Sequence, residues 1–278
     1  MLTVTTLASG SGGNAALVSC GQTHILLDAG ISARRITTGL KALGVDPAGL
    51  SAILVTHEHH DHISGLQVLT KHLRVPIVAS PATCWQINYK VPFVEDLLRQ
   101  QEPGTGFQLG SLWVESFSTP HDAAGSVGYS IGCEDGRMVL ATDLGCVTPE
   151  VEAAVKGCDL LICEANHDED WVRTGPYPYY LKQRILGDRG HLSNEAGAEL
   201  AALGAAAGAR AIVLAHLSAE NNTPAHARQV VARRLSAMGC DPEGDLSLGV
   251  APRAESGPVY RLEKGGVSRE FERGSALC

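Results

Sequence analysis

Apolar positions along the chain fall into short blocks whose spacing alternates between the periods of strand and helix. Leu2 to Leu7, Ala15 to Cys20 and His24 to Leu27 are β-prone runs separated by Gly-Ser-Gly-Gly-Asn and Gly-Gln, which predicts an antiparallel meander. From Ser32 to Leu43 the apolar positions recur at helical spacing, with Ser32 placed to cap the start and Gly44 to stop the end. Ala52 to Thr56 then predicts a strand, about Asp61 to Leu73 a helix, and Val75 to Ala79 another strand, after which Pro81 opens a further helix. The second half repeats the alternation. Strands are expected at Leu112 to Ser118, Val127 to Cys133, Met138 to Thr142, Leu160 to Glu164 and Ile212 to Ala215. Helices are expected at Pro149 to Val155, Asn194 to Ala206 and Pro224 to Met238, the last capped by Thr223.

Strands that arrive in runs, with helices interposed in both halves, favour two sheets packed face to face with helices outside over a doubly wound parallel sheet. Past Asp241 the chain turns rich in Gly, Pro and charge; Val259 to Leu262 reads as a strand, and the tail beyond about residue 265 is expected to fray. The whole chain, 1–278, is expected to form one domain.

Composition narrows the class. No apolar run approaches the length of a membrane span, and the first residues lack the basic region and apolar core of a signal peptide. Eight cysteines without a Cys-x-x-Cys pair, several of them in apolar segments, suit reduced thiols and a cytoplasmic protein with no membrane partner. The formal net charge of −8 excludes a blanket basic coat, so any polyanion would have to be gripped on one face.

The run Leu54-Val-Thr-His57-Glu-His59-His60-Asp61-His62 carries the clearest chemistry. His57 and His59 lie two apart on extended backbone and point the same way, while Asp61 and His62 open the following helix, so four donors converge on one short loop. Imidazole and carboxylate donors suit Zn, Mn or Fe rather than Ca. His60 reads as a spacer, and His24, His72 and His226 read as surface histidines.

Here the chain resembles the metallo-β-lactamase superfamily. Asp28 in Leu-Leu-Asp-Ala-Gly, the His57 to His62 run, His121 in Ser-Thr-Pro-His-Asp, Asp143 in Ala-Thr-Asp-Leu-Gly and His216 in Leu-Ala-His-Leu-Ser follow the order of that family's motifs. The resemblance implies an α/β (α+β) fold, the four-layer αββα sandwich, with two divalent ions, Zn²⁺ or Mn²⁺ or else Fe. It implies that His57, His59 and His121 hold one ion, that Asp61, His62 and His216 hold the other, and that Asp143 bridges them. Asp28 is expected to orient the ligand loop, and Asp61 to serve catalysis as well as ligation.

Glu164, at the end of an apolar strand, and His191 in Gly-His-Leu-Ser-Asn look like the pair that phosphodiesterases of this superfamily, including tRNase Z, place beside the metals. His191 is then the expected general acid, held by Glu164. Leu-Ala-Ser-Gly-Ser-Gly-Gly-Asn, Glu-Ala-Asn-His-Asp, Gly-Pro-Tyr-Pro-Tyr-Tyr-Leu-Lys and His-Leu-Ser-Ala-Glu-Asn-Asn-Thr-Pro are similar to the YycJ (WalJ) family of bacterial exonucleases. That similarity implies 5′-to-3′ exonuclease activity on DNA, with RNA as the other candidate polymer, and a role in DNA repair. The alternative is a small-molecule hydrolase on the same site, such as a cyclic phosphodiesterase, lactonase or thioester hydrolase.

Over residues 173–189, which lie between Glu164 and His191, the cations Arg173, Lys182, Arg184 and Arg189 against Asp188 give a local charge of +3. Tyr177, Tyr179, Tyr180, Lys182 and Arg184 are the expected nucleic-acid contacts, cations for phosphates and rings for bases. The opposing reading is a helix whose tyrosines pack on the core. Oligomeric state is not legible.

Overall fold

The computed structural model describes residues 1–242 and 244–270. In the first half, β1 (Leu2–Ala8), β2 (Ala15–Cys20), β3 (Thr23–Leu27), α1 (Ala33–Ala42), β4 (Ala52–Leu54), α2 (His60–Ile63), α3 (Leu66–His72), β5 (Ile77–Ala79), α4 (Pro81–Lys90) and β6 (Leu98–Gln100) follow one another. Next come β7 (Gly106–Leu109), β8 (Leu112–Ser118), β9 (Val127–Cys133), β10 (Gly136–Ala141), α5 (Pro149–Val155), β11 (Leu160–Glu164), α6 (Glu169–Thr174), α7 (Tyr179–Leu186), α8 (Asn194–Ala206) and β12 (Ala211–Ala215). The chain closes with α9 (Pro224–Ala237), β13 (Ser247–Val250), β14 (Val259–Glu263) and β15 (Gly266–Glu270).

The strands form two sheets, ordered β15-β14-β1-β2-β3-β4-β5-β6 and β13-β12-β11-β10-β9-β8-β7. Each sheet is antiparallel through one part and parallel through the other: β1 to β3 and β7 to β10 pair antiparallel, β3 to β6 and β10 to β13 parallel. Three apolar clusters define the layers. One, including Val4, Val18, Leu54, Tyr129, Ile131 and Ile162, lies between the sheets. A second packs α1, α3 and α4 on the first sheet through Ile36, Leu40, Leu69 and Ile87. A third packs α5, α8 and α9 on the second sheet through Val151, Leu200 and Val231. The result is an αββα sandwich, and it explains the strand patterns. β11 and β12 are buried at every position because helices cover one face and the opposite sheet the other. β8, with a partly solvated face, alternates through its first five residues.

The expected elements are present, α6 and α7 are additional to them, and three further differences stand out. The helix expected over 61–73 is two helices, because Gly65 must pass close to the turn after β3: its N–H donates to Ala29 O at 2.7 Å, and a Cβ there would meet Ile31 O at 2.3 Å. The strands β6, β7 and β13 were not evident from the apolar pattern, being only three or four residues long. Residues 266–270, expected to fray, form β15, paired antiparallel with β14; residues 271–278 lie outside the described residues.

Parallel strands bring their C-terminal ends to one rim, where the next residues turn into loops. Three of those loops are stitched together by backbone: Asn14 N donates to Asp61 O at 2.8 Å and Gly30 N to Asn14 O at 2.8 Å. Gly30 is required by that approach, since a Cβ on it would sit 1.6 Å from Asp61 O. Gly30→Ala is therefore expected to destabilise the protein by at least ~2 kcal/mol through forced backbone displacement. Urea unfolding reads this as a lower midpoint at unchanged slope, and a loss below about 0.5 kcal/mol would show that the loop yields freely.

Candidate metal centre

The centre is built from strand ends. Asp28 directly follows β3, His57 and His59 follow β4, Asp143 follows β10, Glu164 ends β11 and His216 directly follows β12. Asp28, Asp143 and His216 hold left-handed backbone, with φ of 57°, 58° and 56°. Such conformations cost of order 1–3 kcal/mol for non-glycine residues and persist where the surroundings over-determine them. Here they turn each side chain from the strand end toward the rim.

Asp28 acts as a clamp. Its Oδ1 accepts from Thr56 N at 2.8 Å, and its Oδ2 lies 2.7 Å from His62 Nδ1, which fixes the ring that leaves Nε2 facing inward. Ligand-type atoms of His57, His59 and His121 lie within 4.8 Å of one another, as do those of Asp61, His62 and His216, and those of His57, His62 and Asp143. Asp143 is central: its carboxylate is 3.5 Å from His62 Nε2, 3.4 Å from His216 Nε2 and 3.9 Å from His121 Nε2. The sequence-predicted residues His57, His59, Asp61, His62, His121, Asp143 and His216 therefore meet at one place, with Asp28 behind them. His60 is exposed.

The electrostatics divide this group in two. Burial, reinforced by neighbouring His62 and His121, pushes His57 well below its ordinary range, and burial also lowers His59 and His121. Burial therefore favours the neutral form of these three rings, the form that ligates. Burial opposes charge on His62 as well, but Asp143 and Asp28 outweigh it and raise the ring to about 9. His216 is raised in the same way by Asp143, Asp61 and Glu164 against burial. Despite its own burial, Asp61 is held well below the carboxylate range by a hydrogen bond from His216 and the charge of His62. Asp28, Asp61 and Asp143 thus favour positive charge at His62 and His216, which a divalent cation could supply in place of protons.

A test of that fit lies in the unpaired atoms. Among the described residues, His57 Nε2 and Asp143 Oδ2 are buried with no hydrogen-bond partner. Leaving such an atom unsatisfied costs roughly 1–3 kcal/mol, and both belong to the set facing Asp143. Neutral imidazoles, carboxylates and orphaned lone pairs together match a borderline divalent ion.

Glu164 is fully buried and shared. Its Oε1 lies 2.8 Å from His191 Nδ1 and 3.1 Å from His216 Nδ1, while Oε2 accepts from Leu144 N and Leu192 N at 3.1 and 3.2 Å. These bonds tie Glu164 to both rings, and ligand-type atoms of Asp143, Glu164, His191 and His216 also lie within 4.8 Å of one another. His191, Asp61, Asp143, Tyr177 and Arg184 line a cleft of ≈ 220 Å³ over the centre.

The beta-lactamase superfamily domain profile matches residues 23–217. Exodeoxyribonuclease WalJ of Streptococcus pneumoniae is 37% identical over 248 residues, covering 88% of this chain and 90% of that protein. The chain belongs to the WalJ/YycJ family of the beta-lactamase superfamily. Exodeoxyribonuclease YycJ of Bacillus anthracis is 36% identical over 84% of this chain and 89% of its own length. Among solved structures, the metallo-beta-lactamase fold protein YhfI of Bacillus subtilis superposes with a TM-score of 0.67 at 17% identity, covering 92% of this chain and 99% of that one, which shows the shared fold.

In this WalJ/YycJ member the basic stretch is divided among several tasks. α7 buries none of its residues, and Tyr179 and Tyr180 are 76% and 73% exposed, so these tyrosines do not pack on the core. Lys182 Nζ donates to Arg173 O at 2.7 Å, and Arg184 pairs with Asp122 at the cleft edge. Arg189 donates from Nε and Nη2 to His121 O at 2.9 and 2.7 Å, so its cation braces a ligand segment. Two histidines expected at the surface have structural partners: His226 is half-buried, 2.7 Å from Asp168 and stacked on Trp171, and His24 Nδ1 lies 2.8 Å from Ser19 Oγ. His72 is exposed, as expected.

Three supporting residues escaped the sequence reading. Buried Glu58, the spacer of His-x-His, accepts from Ala124 N at 2.9 Å and ties the ligand loop to the segment after His121. Asn14 Nδ2 lies 3.2 Å from His62 Nε2, and Asn166 Nδ2 donates to His216 O at 2.7 Å. Their motifs, Gly-Ser-Gly-Gly-Asn and Glu-Ala-Asn-His, were visible, but nothing local reveals which ligand each one steadies.

Proposed function

We propose that this chain is a metal-dependent phosphodiesterase that acts as a 5′-to-3′ exodeoxyribonuclease in the cytoplasm, on DNA ends such as those arising in repair. The observation that carries this reading is the His191–Glu164 pair at 2.8 Å beside the ligand cluster, in a chain 37% identical to a curated exodeoxyribonuclease. His57, His59 and His121 would hold one divalent ion and Asp61, His62 and His216 the second, with Asp143 between them; Zn²⁺ or Mn²⁺ fits these donors. Bound there, the ions would supply an activated water and balance charge on the phosphate oxygens.

The chain's own residues do the rest. Asp28 holds His62 through Nδ1, Asn14 holds the loop through Asp61 O, and Asn166 and Glu164 hold His216. With Nδ1 engaged by Glu164, His191 presents Nε2 as the atom that hands a proton to the departing oxygen. Tyr177 and Arg184 line the approach, and Tyr179, Tyr180 and Lys182 flank it on α7 as contacts for the strand. Asp122, paired with Arg184 and 3.4 Å from His121 Nε2, adds a negative charge at the entrance. Among the described residues no helix is long and apolar enough to cross a membrane.

A metal-reconstituted digest of 5′- and 3′-labelled single- and double-stranded DNA, with RNA, bis-p-nitrophenyl phosphate and a homoserine lactone in parallel, tests the proposal. Release of 5′-terminal mononucleotides from DNA is expected, abolished by a chelator. Lactone hydrolysis without DNA cleavage would replace it with the small-molecule alternative.

A further inference from the structure

The chain contains three Trp, six Tyr and four Phe, and one of each stands uncovered on α4 and its exit. Trp85, Tyr89 and Phe93 are 67%, 80% and 90% exposed. Spaced four residues apart, Trp85 and Tyr89 share one side of α4, opposite the buried Thr83, Cys84 and Ile87. Their rings lie 5° from parallel with centroids 6.2 Å apart.

α4 also braces the ligand loops. Lys90 Nζ donates to Glu58 O, between His57 and His59, at 3.1 Å. Ser80 Oγ and Thr83 Oγ1 donate to Gly125 O at 2.6 and 3.2 Å, in the segment that follows His121. Tyr89 is one residue from Lys90, about 100° around the helix. Residues 81–94 contain no acidic side chain and one cation, Lys90, in a chain whose net charge is −8. A strand of phosphates meets no repulsion from this segment, and its bases meet flat, solvent-facing rings.

We propose that Trp85, Tyr89 and Phe93 form a base-stacking ridge that holds a single-stranded stretch of the DNA substrate beside the metal centre. The proposal rests on the exodeoxyribonuclease reading above and names where the polymer outside the cleft is held. Stacking on aromatic side chains is tolerant of sequence, because every base offers a π-face, so the ridge favours unpaired DNA over duplex without selecting a sequence.

The test compares the wild type with Trp85→Ala, Tyr89→Ala, the double Ala variant and a Trp85→Phe/Tyr89→Phe variant. Anisotropy measures Kd for a fluorescein-labelled, phosphorothioate-linked oligothymidylate that resists hydrolysis, and kinetics separate KM from kcat on ordinary single-stranded DNA. Hydrolysis of bis-p-nitrophenyl phosphate, too small to span centre and ridge, reports the integrity of the centre. Each Ala variant is expected to weaken binding about 10-fold and the double variant about 100-fold, with the loss in KM rather than kcat, and the Phe variant is expected to stay within about threefold of wild type. Unchanged Kd and KM in the double Ala variant, with the wild type cleaving DNA, would overturn the ridge alone. A concentration-dependent wild-type dimer that the double variant abolishes would assign the rings to self-association and overturn it too. Wild type that neither binds nor cleaves DNA would remove the exodeoxyribonuclease reading, and this proposal with it.

Discussion

Asp143→Asn is expected to yield a folded protein with little bound metal and at least ~10³-fold less phosphodiesterase activity, a barrier increase of about 4 kcal/mol. The substitution isolates charge from shape. Asn has the volume of Asp and tolerates left-handed backbone, so φ of 58° at this position remains accessible. What it removes is the carboxylate that faces His62, His121 and His216 at 3.4 to 3.9 Å. Two neighbouring carboxylates are already engaged: Asp28 with Thr56 and His62, and Glu164 with His191, His216 and two backbone N–H groups. Elemental analysis of purified protein, circular dichroism and turnover on labelled DNA check the three parts separately. Full metal content with activity within about threefold of wild type would show that Asp143 is not the shared ligand.

His191→Ala is expected to separate chemistry from metal binding. Turnover on DNA should fall ~10²–10⁴-fold, the range for loss of a general acid, while metal content is retained. Retention is expected because His191 Nδ1 is bonded to Glu164 and neither proposed triad, His57/His59/His121 or Asp61/His62/His216, draws on it, although it also lies in a group with Asp143, Glu164 and His216. The discriminating substrate is bis-p-nitrophenyl phosphate, whose leaving group departs without a proton. If His191 supplies that proton, the loss on this ester should be less than about tenfold. Equal losses on DNA and on the aryl ester would assign His191 to binding or positioning. Glu164→Gln should lie between wild type and His191→Ala on DNA, because the amide still engages one ring but no longer carries the charge shared by His191 and His216.

Element types were largely legible because they depend on local periodicity and caps. Ser32 Oγ accepts from Arg35 N and Thr223 Oγ1 from His226 N, as capping signals in the sequence imply. Short edge strands and the split at Gly65 were not legible, because pairing partners and close backbone approach are properties of the assembled sheets. The ligand candidates were legible for a chemical reason: few other uses concentrate His-x-His-x-Asp-His directly after an apolar strand.

The net charge followed the same division. Read along the chain, −8 argued only against a uniformly basic surface. In three dimensions four of the 30 acids, Asp28, Asp61, Asp143 and Glu164, are turned against histidines at the centre, and Arg184 and Arg189 are committed to Asp122 and His121 O.

By itself the sequence determined the longer strands and helices and the residue types able to hold divalent ions, since these depend on spacing within a few residues, while its motifs, by resemblance, implied the αββα class. Tertiary structure alone decided that Glu164 serves His191 and His216 together, that Glu58, Asn14 and Asn166 steady the ligand loops, and that Trp85, Tyr89 and Phe93 stand uncovered beside them. Those facts depend on which strand ends share a rim, and hydrogen bonds between residues up to 66 positions apart, such as Glu58 with Ala124, leave no periodic trace along a chain.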